Sequence, residues 1–353
     1  MDLYIFPEFP ESQNGYGIAV REVLNMLSVK EDDIVVYHTN TILRQKNVIC
    51  LPYSPLYSLY RIGNVIHNRL STELPVSKLS FLRKYDIENI YCDEVLFYRA
   101  LRYLFPSKVI KVRFHNLYSR ILSRKKLLAL KVDWKFDYLL DAATKLEKEI
   151  INDSLAYKIF ISQEDLNFYQ LITGRFSDCT VWPFRPKLPN ISLEQPKSIS
   201  KLIWFGGIDT HKKKSIDWFV NKVLPKIQQS ISEIEFHLWG RRTEMYNNPS
   251  RKIFGHGFWV MEGFPCVEGA LYVNPDIIGG GVKLKLFSLI EEGIPFVSTV
   301  FGFEGYDKKM IDNSMRIVTD TEHFAEAIIS RLQMGYYNNC LLYTSPSPRD
   351  RSL

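Results

Sequence analysis

The chain has 353 residues, 46% of them hydrophobic, 24% charged and 14% aromatic, which excludes a disordered chain too poor in apolar surface to fold. It also exceeds the roughly 250 residues at which a single core stops growing, so two domains are expected. The formal net charge of +6 fits an anionic substrate, a nucleic acid or an acidic membrane surface without choosing among them.

Cys50, Cys92, Cys179, Cys266 and Cys340 form no CxxC pair and have no His at zinc-ligand spacing, so they read as reduced thiols. The N-terminus lacks a basic segment followed by an apolar one, and no apolar run approaches the ~20 residues a membrane span needs. A cytoplasmic protein is expected.

Short β-branched runs alternate with helical patterns through the first half, the order of a parallel sheet covered by helices on both faces. LYIF (3–6) opens the series. A loop with Gly15 and Gly17 follows, then a helix with the stripe Val20, Val23, Leu24 and Leu27. Further strands are predicted at 33–38, 89–92, 108–115 and 158–162, with a long helical region over 117–152 between the last two. The proline-rich stretch from 182 to 200 reads as an interdomain linker. The domain limits are set at 1–183 and 201–339, with 184–200 between them.

The alternation restarts with LIWFGG (202–207) and a helix bearing Ile216, Phe219, Val220, Val223, Leu224 and Ile227, which Pro225 should kink. Strands follow at 235–240, 270–275 and 294–299. A last helix starts at the N-cap Thr321 and carries Phe324, Ala325, Ile328, Ile329 and Leu332 on one face. The tail 340–353, CLLYTSPSPRDRSL, has no periodicity and resembles translated adapter sequence, so it is set aside as non-native.

The stretch YVNPDIIGGGVKLKLFSLIEEGIPFVST (272–299) carries the chemistry. A strand runs through Gly279, Gly280 and Gly281 into a helix expected from Val282. Glycines admit a ligand close to backbone amides, and a helix N-terminus adds partial positive charge, so the arrangement suits phosphate. Lys283 and Lys285 add full charge. Two residues apart on a helix they would not share a face, so one of them at most is expected at the phosphates. A plain glycine turn with two solvated lysines is the alternative.

This run resembles the donor site of family 4 glycosyltransferases, in the branch with Gly-small-Gly-Val-Lys-x-Lys, a helix and Gly-x-Pro-x-Val; GFEGY (302–306), LIWFGGID, DWFVNKVLP and FHLWGR resemble further elements in the same order. The resemblance covers 202–332 well and the first half more loosely. It implies an α/β protein of GT-B fold, two Rossmann-like domains facing across a cleft, with a nucleotide-diphosphate sugar as donor. It also implies retention of anomeric configuration, a glycan or lipid-linked acceptor, and a role in cell-surface polysaccharide or glycoconjugate synthesis. Donor contacts would come from Gly206, Gly207, Arg241, Gly279, Gly280, Gly281, Lys283 and Lys285. Lys213 stands for the run 212–214, whose matching lysine is left open. Ser288 takes the place of a family Glu that holds the donor ribose, which leaves room for a degenerate, non-catalytic relative acting as a partner or scaffold.

His115 follows a strand in RFHNLYSR (113–120) and resembles the family's His beside the transferred sugar; the alternative is an imidazole bonded to neighbouring backbone. Gly15 and Gly17 resemble the first-domain loop near phosphates or acceptor. No Asp-x-Asp motif occurs, so no metal and no further cofactor are expected, and lysines would offset the charge of the departing diphosphate. Nucleic acid is not expected as a partner. SRKKLLALKVDWK (123–135) reads either as an interfacial helix on anionic lipid at the inner face of the membrane or as an amphipathic helix packed on its own domain. The GT-B resemblance further implies a final helix returning to the first domain, so an exposed apolar groove is expected there. A dinucleotide-dependent oxidoreductase is disfavoured, since no GxGxxG follows the first strand.

Overall fold

The computed structural model describes residues 1–12, 15–41, 43, 45–53, 57–127, 134–183, 199–258, 269–277, 282–291, 294, 296–306, 316–317 and 321–334. The chain divides into two units, Met1–Phe184 and Arg185–Leu353. The boundary stretch 184–198, the triple glycine 279–281 and the tail from 335 onward lie outside the described residues.

In the first unit the elements run β1 (Leu3–Phe6), α1 (Gly15–Leu24), β2 (Ile34–His38), β3 (Val48–Leu51), α2 (Tyr57–Ile66), α3 (Val76–Leu79), β4 (Ile90–Cys92), α4 (Tyr98–Leu104), β5 (Ile110–Phe114), α5 (Tyr118–Leu127), α6 (Trp134–Asn152), β6 (Ala156–Phe160), α7 (Gln163–Thr173) and β7 (Cys179–Val181). The strands pair in parallel in the order β3-β2-β1-β4-β5-β6-β7. β1 and β4 are apolar throughout because helices cover both faces, while β5 and β6 bury Arg113 and Lys158 among apolar residues. Leu3, Ile5, Val36, Ile90 and Val112 meet the Leu146 and Ile150 stripe of α6 in one cluster, while Tyr4, Phe6 and Tyr91 meet Val20 and Val23 in another. The helical region expected over 117–152 holds α5 and α6, with residues 128–133 outside the described residues. Ser162 caps α7 by accepting from the Asp165 amide at 3.1 Å, and Gly174, at φ +66°, ends it in the left-handed conformation that glycine adopts without strain.

The second unit runs β8 (Lys201–Phe205), α8 (Thr210–Trp218), α9 (Leu224–Ser230), β9 (Glu235–Trp239), β10 (Ile253–Gly255), β11 (Ala270–Asn274), α10 (Leu284–Glu291), β12 (Phe296–Thr299), β13 (Arg316–Ile317) and α11 (Thr321–Met334). Its sheet, also parallel, has the order β10-β9-β8-β11-β12-β13. Between α8 and α9 the chain makes a π-helical turn, Phe219–Val223, and Pro225 sits in the first turn of α9. The wide turn precedes the proline, whose missing N–H then falls at a helix start where it costs nothing. Phe219, Val220, Val223, Leu224 and Ile227 pack with Phe324, Ile328 and Leu332 of α11, as the apolar periodicity requires.

Both sheets reverse their winding once, between β1 and β4 and between β8 and β11. Beyond the carboxyl ends of strands at such a reversal, the helices diverge to opposite faces and leave a crevice where open α/β sheets bind ligands.

Candidate functional site

In the second unit that crevice is bordered by the loops after β8, β9 and β11. Gly206, at φ +145°, leaves β8 and its amide donates to the Trp239 carbonyl at 2.8 Å. The β9 loop passes so close that a Cβ on Gly240 would stand 2.2 Å from the Gly206 carbonyl oxygen, and Gly240 itself is at φ +128°. Gly240→Ala is therefore expected to cost about 1–3 kcal/mol through overpacking and backbone strain; thermal unfolding of the variant checks it. The same approach brings the Arg241 side chain to Gly207, 3.9 Å from where a Cβ would lie, with the Ile208 amide donating to the Arg241 carbonyl at 2.9 Å.

After β11 comes Asp276, fully buried. One of its carboxylate oxygens takes the Lys212 ammonium, and the other is buried with no hydrogen-bond partner among the described residues. The Lys285 Nζ lies 5.2 Å from the centroid of the buried Trp204 ring. Burial alone would raise the Asp276 pKa, but Lys285, Lys212 and Lys283 together draw it down to about 2. The reverse holds for Lys285: burial pushes its ammonium down, Asp276 pulls it up, and Lys212 and Lys283 push it down again, to about 7. Burial and two neighbouring cations thus disfavour the charged form of Lys285, which a bound anion would favour.

Both Lys283 and Lys285 lower the Asp276 pKa through their charge, while Lys212 pairs with it directly. Lys283 lies one residue ahead of α10, which begins at Leu284. The Lys283 carbonyl accepts from the Leu286 amide at 2.8 Å and from the Tyr306 hydroxyl at 2.7 Å, which joins the GFEGY segment to this corner. Within the run 212–214, Lys212 reaches Asp276, whereas Lys213 pairs with Asp217 on its own helix at 2.6 Å. Ser288 falls within α10; Gly279, Gly280 and Gly281 are not among the described residues.

In the first unit, Gly17 is required by contact: a Cβ there would lie 2.0 Å from the Ser12 carbonyl oxygen. Gly15 is the first residue of α1. His115 stands just past β5, buried at 6% exposure, with Nε2 3.1 Å from Asp93 Oδ2. Asp93, which follows β4, also accepts from Arg113 Nη1 at 2.9 Å and from the Tyr91 hydroxyl at 2.8 Å on its other oxygen. Burial would raise the Asp93 pKa, but Arg113 and His115 outweigh it and keep the group ionised. Beside it Glu94 is pushed up by burial. Its carboxylate accepts from the Val95 amide at 2.8 Å and from the Tyr118 hydroxyl at 3.4 Å. The imidazole is thus held by a carboxylate and not by backbone alone.

Sequence reasoning missed Asp93, Glu94 and Asp276, and left Lys212 unresolved within the run 212–214. The signal was present in NIYCDE and YVNPD, where carboxylates fall within two residues of a strand's carboxyl end and so on the ligand-binding edge. For the basic stretch 123–135, the described part shows Lys126 paired with Asp137 and Trp134 68% exposed; residues 128–133 are not described. Among the described residues no helix is long and apolar enough to cross a membrane.

No protein-family profile matches the sequence, and no curated protein matches it. Solved structures do. HepE from Anabaena in complex with UDP and glucose aligns with a TM-score of 0.56 at 12% identity, over 94% of this chain and 89% of its own. WaaG, a glycosyltransferase involved in lipopolysaccharide biosynthesis, gives 0.55 at 8% over 94% and 90%. The UDP-forming α,α-trehalose-phosphate synthase from Burkholderia xenovorans gives 0.56 at 11% over 95% and 93%. The fold is GT-B. TarM also aligns, with a TM-score of 0.52 at 15% identity, but there the chain spans about half the neighbour's length, 51%. At these identities the likeness reports the GT-B fold and leaves the chemistry to the residues.

Proposed function

We propose that this GT-B protein is a glycosyltransferase that moves a sugar from a nucleotide-diphosphate sugar to a glycan or lipid-linked acceptor, without a metal and with retention of configuration. The observation that carries it is the buried Asp276 at the crevice of the second sheet, paired with Lys212 and held ionised by the further charges of Lys285 and Lys283. Asp276 binds no leaving group. It holds Lys212, and the charges of Lys283 and Lys285 beside it exceed what one carboxylate balances, which suits a diphosphate. As the bond between sugar and diphosphate breaks, negative charge grows on the departing oxygens, and ammonium groups held at the crevice would stabilise it. Gly206 and Gly207 leave room for backbone approach, and Arg241 beside them offers a guanidinium to the same phosphates.

On the first unit His115, oriented by Asp93, would position the transferred sugar or the acceptor hydroxyl. The UDP and glucose bound by HepE and the lipopolysaccharide role of WaaG support the donor class and the setting of cell-surface polysaccharide or glycoconjugate synthesis. Cytoplasmic placement, with peripheral contact of the 123–135 segment on the inner membrane face, belongs to the same reading. Ser288, in place of a ribose-holding Glu, favours a second reading, a binding protein that has lost turnover.

Purified protein incubated with a panel of UDP, GDP and ADP sugars separates the two. Release of nucleoside diphosphate, by hydrolysis or transfer, supports the enzyme. Thermal stabilisation by a nucleotide sugar without release supports the degenerate reading, and no stabilisation by any of them sinks both.

A further inference from the structure

On the first unit, away from His115, an open cavity of about 780 Å³ lies among the segment after α2, the start of α3, α4 and α6. It sits at the opposite edge of the sheet. The Arg102 guanidinium in its wall donates to the carbonyls of Phe105, Pro106 and Lys108, just ahead of β5, and to Asp153 at 2.7 Å, just ahead of β6. His115 stands past the other end of β5, a strand of five residues, which spans roughly 16 Å at 3.3 Å per residue.

The charges around this cavity do not cancel locally. Its lining carboxylates are Glu149 and Asp153; Glu149 is engaged by Arg99, and Asp153 by Arg102 and Tyr98. Glu73, behind the wall, takes the other side of Arg99. Arg69 and Lys145 also line the cavity and form no ion pair among the described residues. Arg102 Nη2 is buried with no acceptor among the described residues, which is costly for a charged donor. One helix face gathers these groups. Tyr138 of α6 donates to the Arg69 carbonyl, and Asp141 accepts from Asn68. Lys145, Glu149 and Asn152 follow at helical spacing.

We propose that this cavity is a second anion site that binds a phosphate ester or diphosphate, independent of any donor in the other unit. Arg69 and Lys145 supply the free charges at its mouth. Arg102, after a small rotation of its guanidinium, supplies a donor to a phosphoryl oxygen, which needs several such donors at once. Tyr98 and Tyr103 line the same space and would pack against whatever the phosphate carries. Two sources offer this chemistry, a soluble phosphate compound and a lipid headgroup. The second is tested because Leu59, Ile62 and Ile66 of α2, next to the cavity residues His67 and Arg69, are 62%, 56% and 74% exposed.

Calorimetric titration of the full chain with inorganic pyrophosphate is the first arm. Two classes of site are expected in the wild type. Arg69→Ala/Lys145→Ala, which removes two exposed side chains and should fold normally, should weaken one class by at least about tenfold. Lys285→Ala should weaken only the other, so failure of the donor reading and failure of this one are distinguishable. Sedimentation with phosphatidylglycerol vesicles, against phosphatidylcholine vesicles, is the second arm. Loss of phosphatidylglycerol binding in the double variant, with the pyrophosphate isotherm unchanged, would assign the site to a headgroup. A double variant indistinguishable from the wild type in both arms overturns the proposal.

Discussion

Asp93→Ala is expected to lower the unfolding free energy of the first unit by about 3–5 kcal/mol, the usual cost of stripping one partner from a buried ion pair. Asp93 is 0% exposed and Arg113 1%, so neither charge can turn to water. The carboxylate also serves the Tyr91 hydroxyl and the His115 ring, and the deletion takes an acceptor from all three. Peptide-level hydrogen exchange should show faster opening of β4 and β5 while β8 and β11 of the second unit keep their protection. Removing both charges with Asp93→Leu/Arg113→Met should recover much of the loss, because an apolar pair spares both desolvation penalties. The pH dependence has a definite sign. The Asp93 pKa is depressed in the folded state, so its contribution is fully present above the unfolded value of about 3.9 and is lost as pH falls through the folded one. The gap between wild type and Asp93→Ala should therefore close in acid. An equal gap at every pH would mean that the carboxylate stabilises by packing alone.

The central strands of both sheets were legible in the sequence and the edge strands were not. LYIF, IYC and the run around Ile203 are buried along their length, and such strands read as continuous apolar runs. The strands left unpredicted, Val48–Leu51, Cys179–Val181, Ile253–Gly255 and Arg316–Ile317, are the outermost of their sheets. Three of them, β7, β10 and β13, have only two or three residues. An edge strand is kept short and partly wet so that it does not recruit a neighbour, and those properties erase its signal. A similar limit applied at the site. Lysines at 283 and 285 were visible as charges near a glycine turn, but the buried carboxylate of Asp276 on which their charges act was not, because burial is a tertiary property. Lys212 could be told from Lys213 only by tertiary contact with β11, which no local pattern encodes.

Lys285→Met should weaken binding of a nucleotide-diphosphate sugar by about 10- to 100-fold, corresponding to about 1.5–3 kcal/mol for a hydrogen bond to a charged group. The same substitution should leave the ligand-free protein more stable, and the opposite signs follow from one cause. In the free protein the Lys285 ammonium is held down to about 7 by burial and by its lysine neighbours, below the value of about 10.4 in an unfolded chain. The folded state thus penalises the charged form. That penalty is fully present below about pH 7 and fades as pH rises toward the unfolded value, so the stabilisation from Lys285→Met should be greatest in neutral to acid solution. A bound diphosphate reverses the balance by pairing with the ammonium and raising its pKa, so wild-type binding should take up protons above pH 7 and weaken by up to about tenfold per pH unit. Calorimetry in buffers of different ionisation enthalpy reads that uptake directly, and it should vanish in Lys285→Met. A lysine kept only for packing over Trp204 would behave otherwise: its loss would destabilise the unit and leave both affinity and proton uptake unchanged. Instability spent at one residue and recovered on ligand binding is the pattern of a functional group, and that pairing of signs is what the Lys285 variant tests.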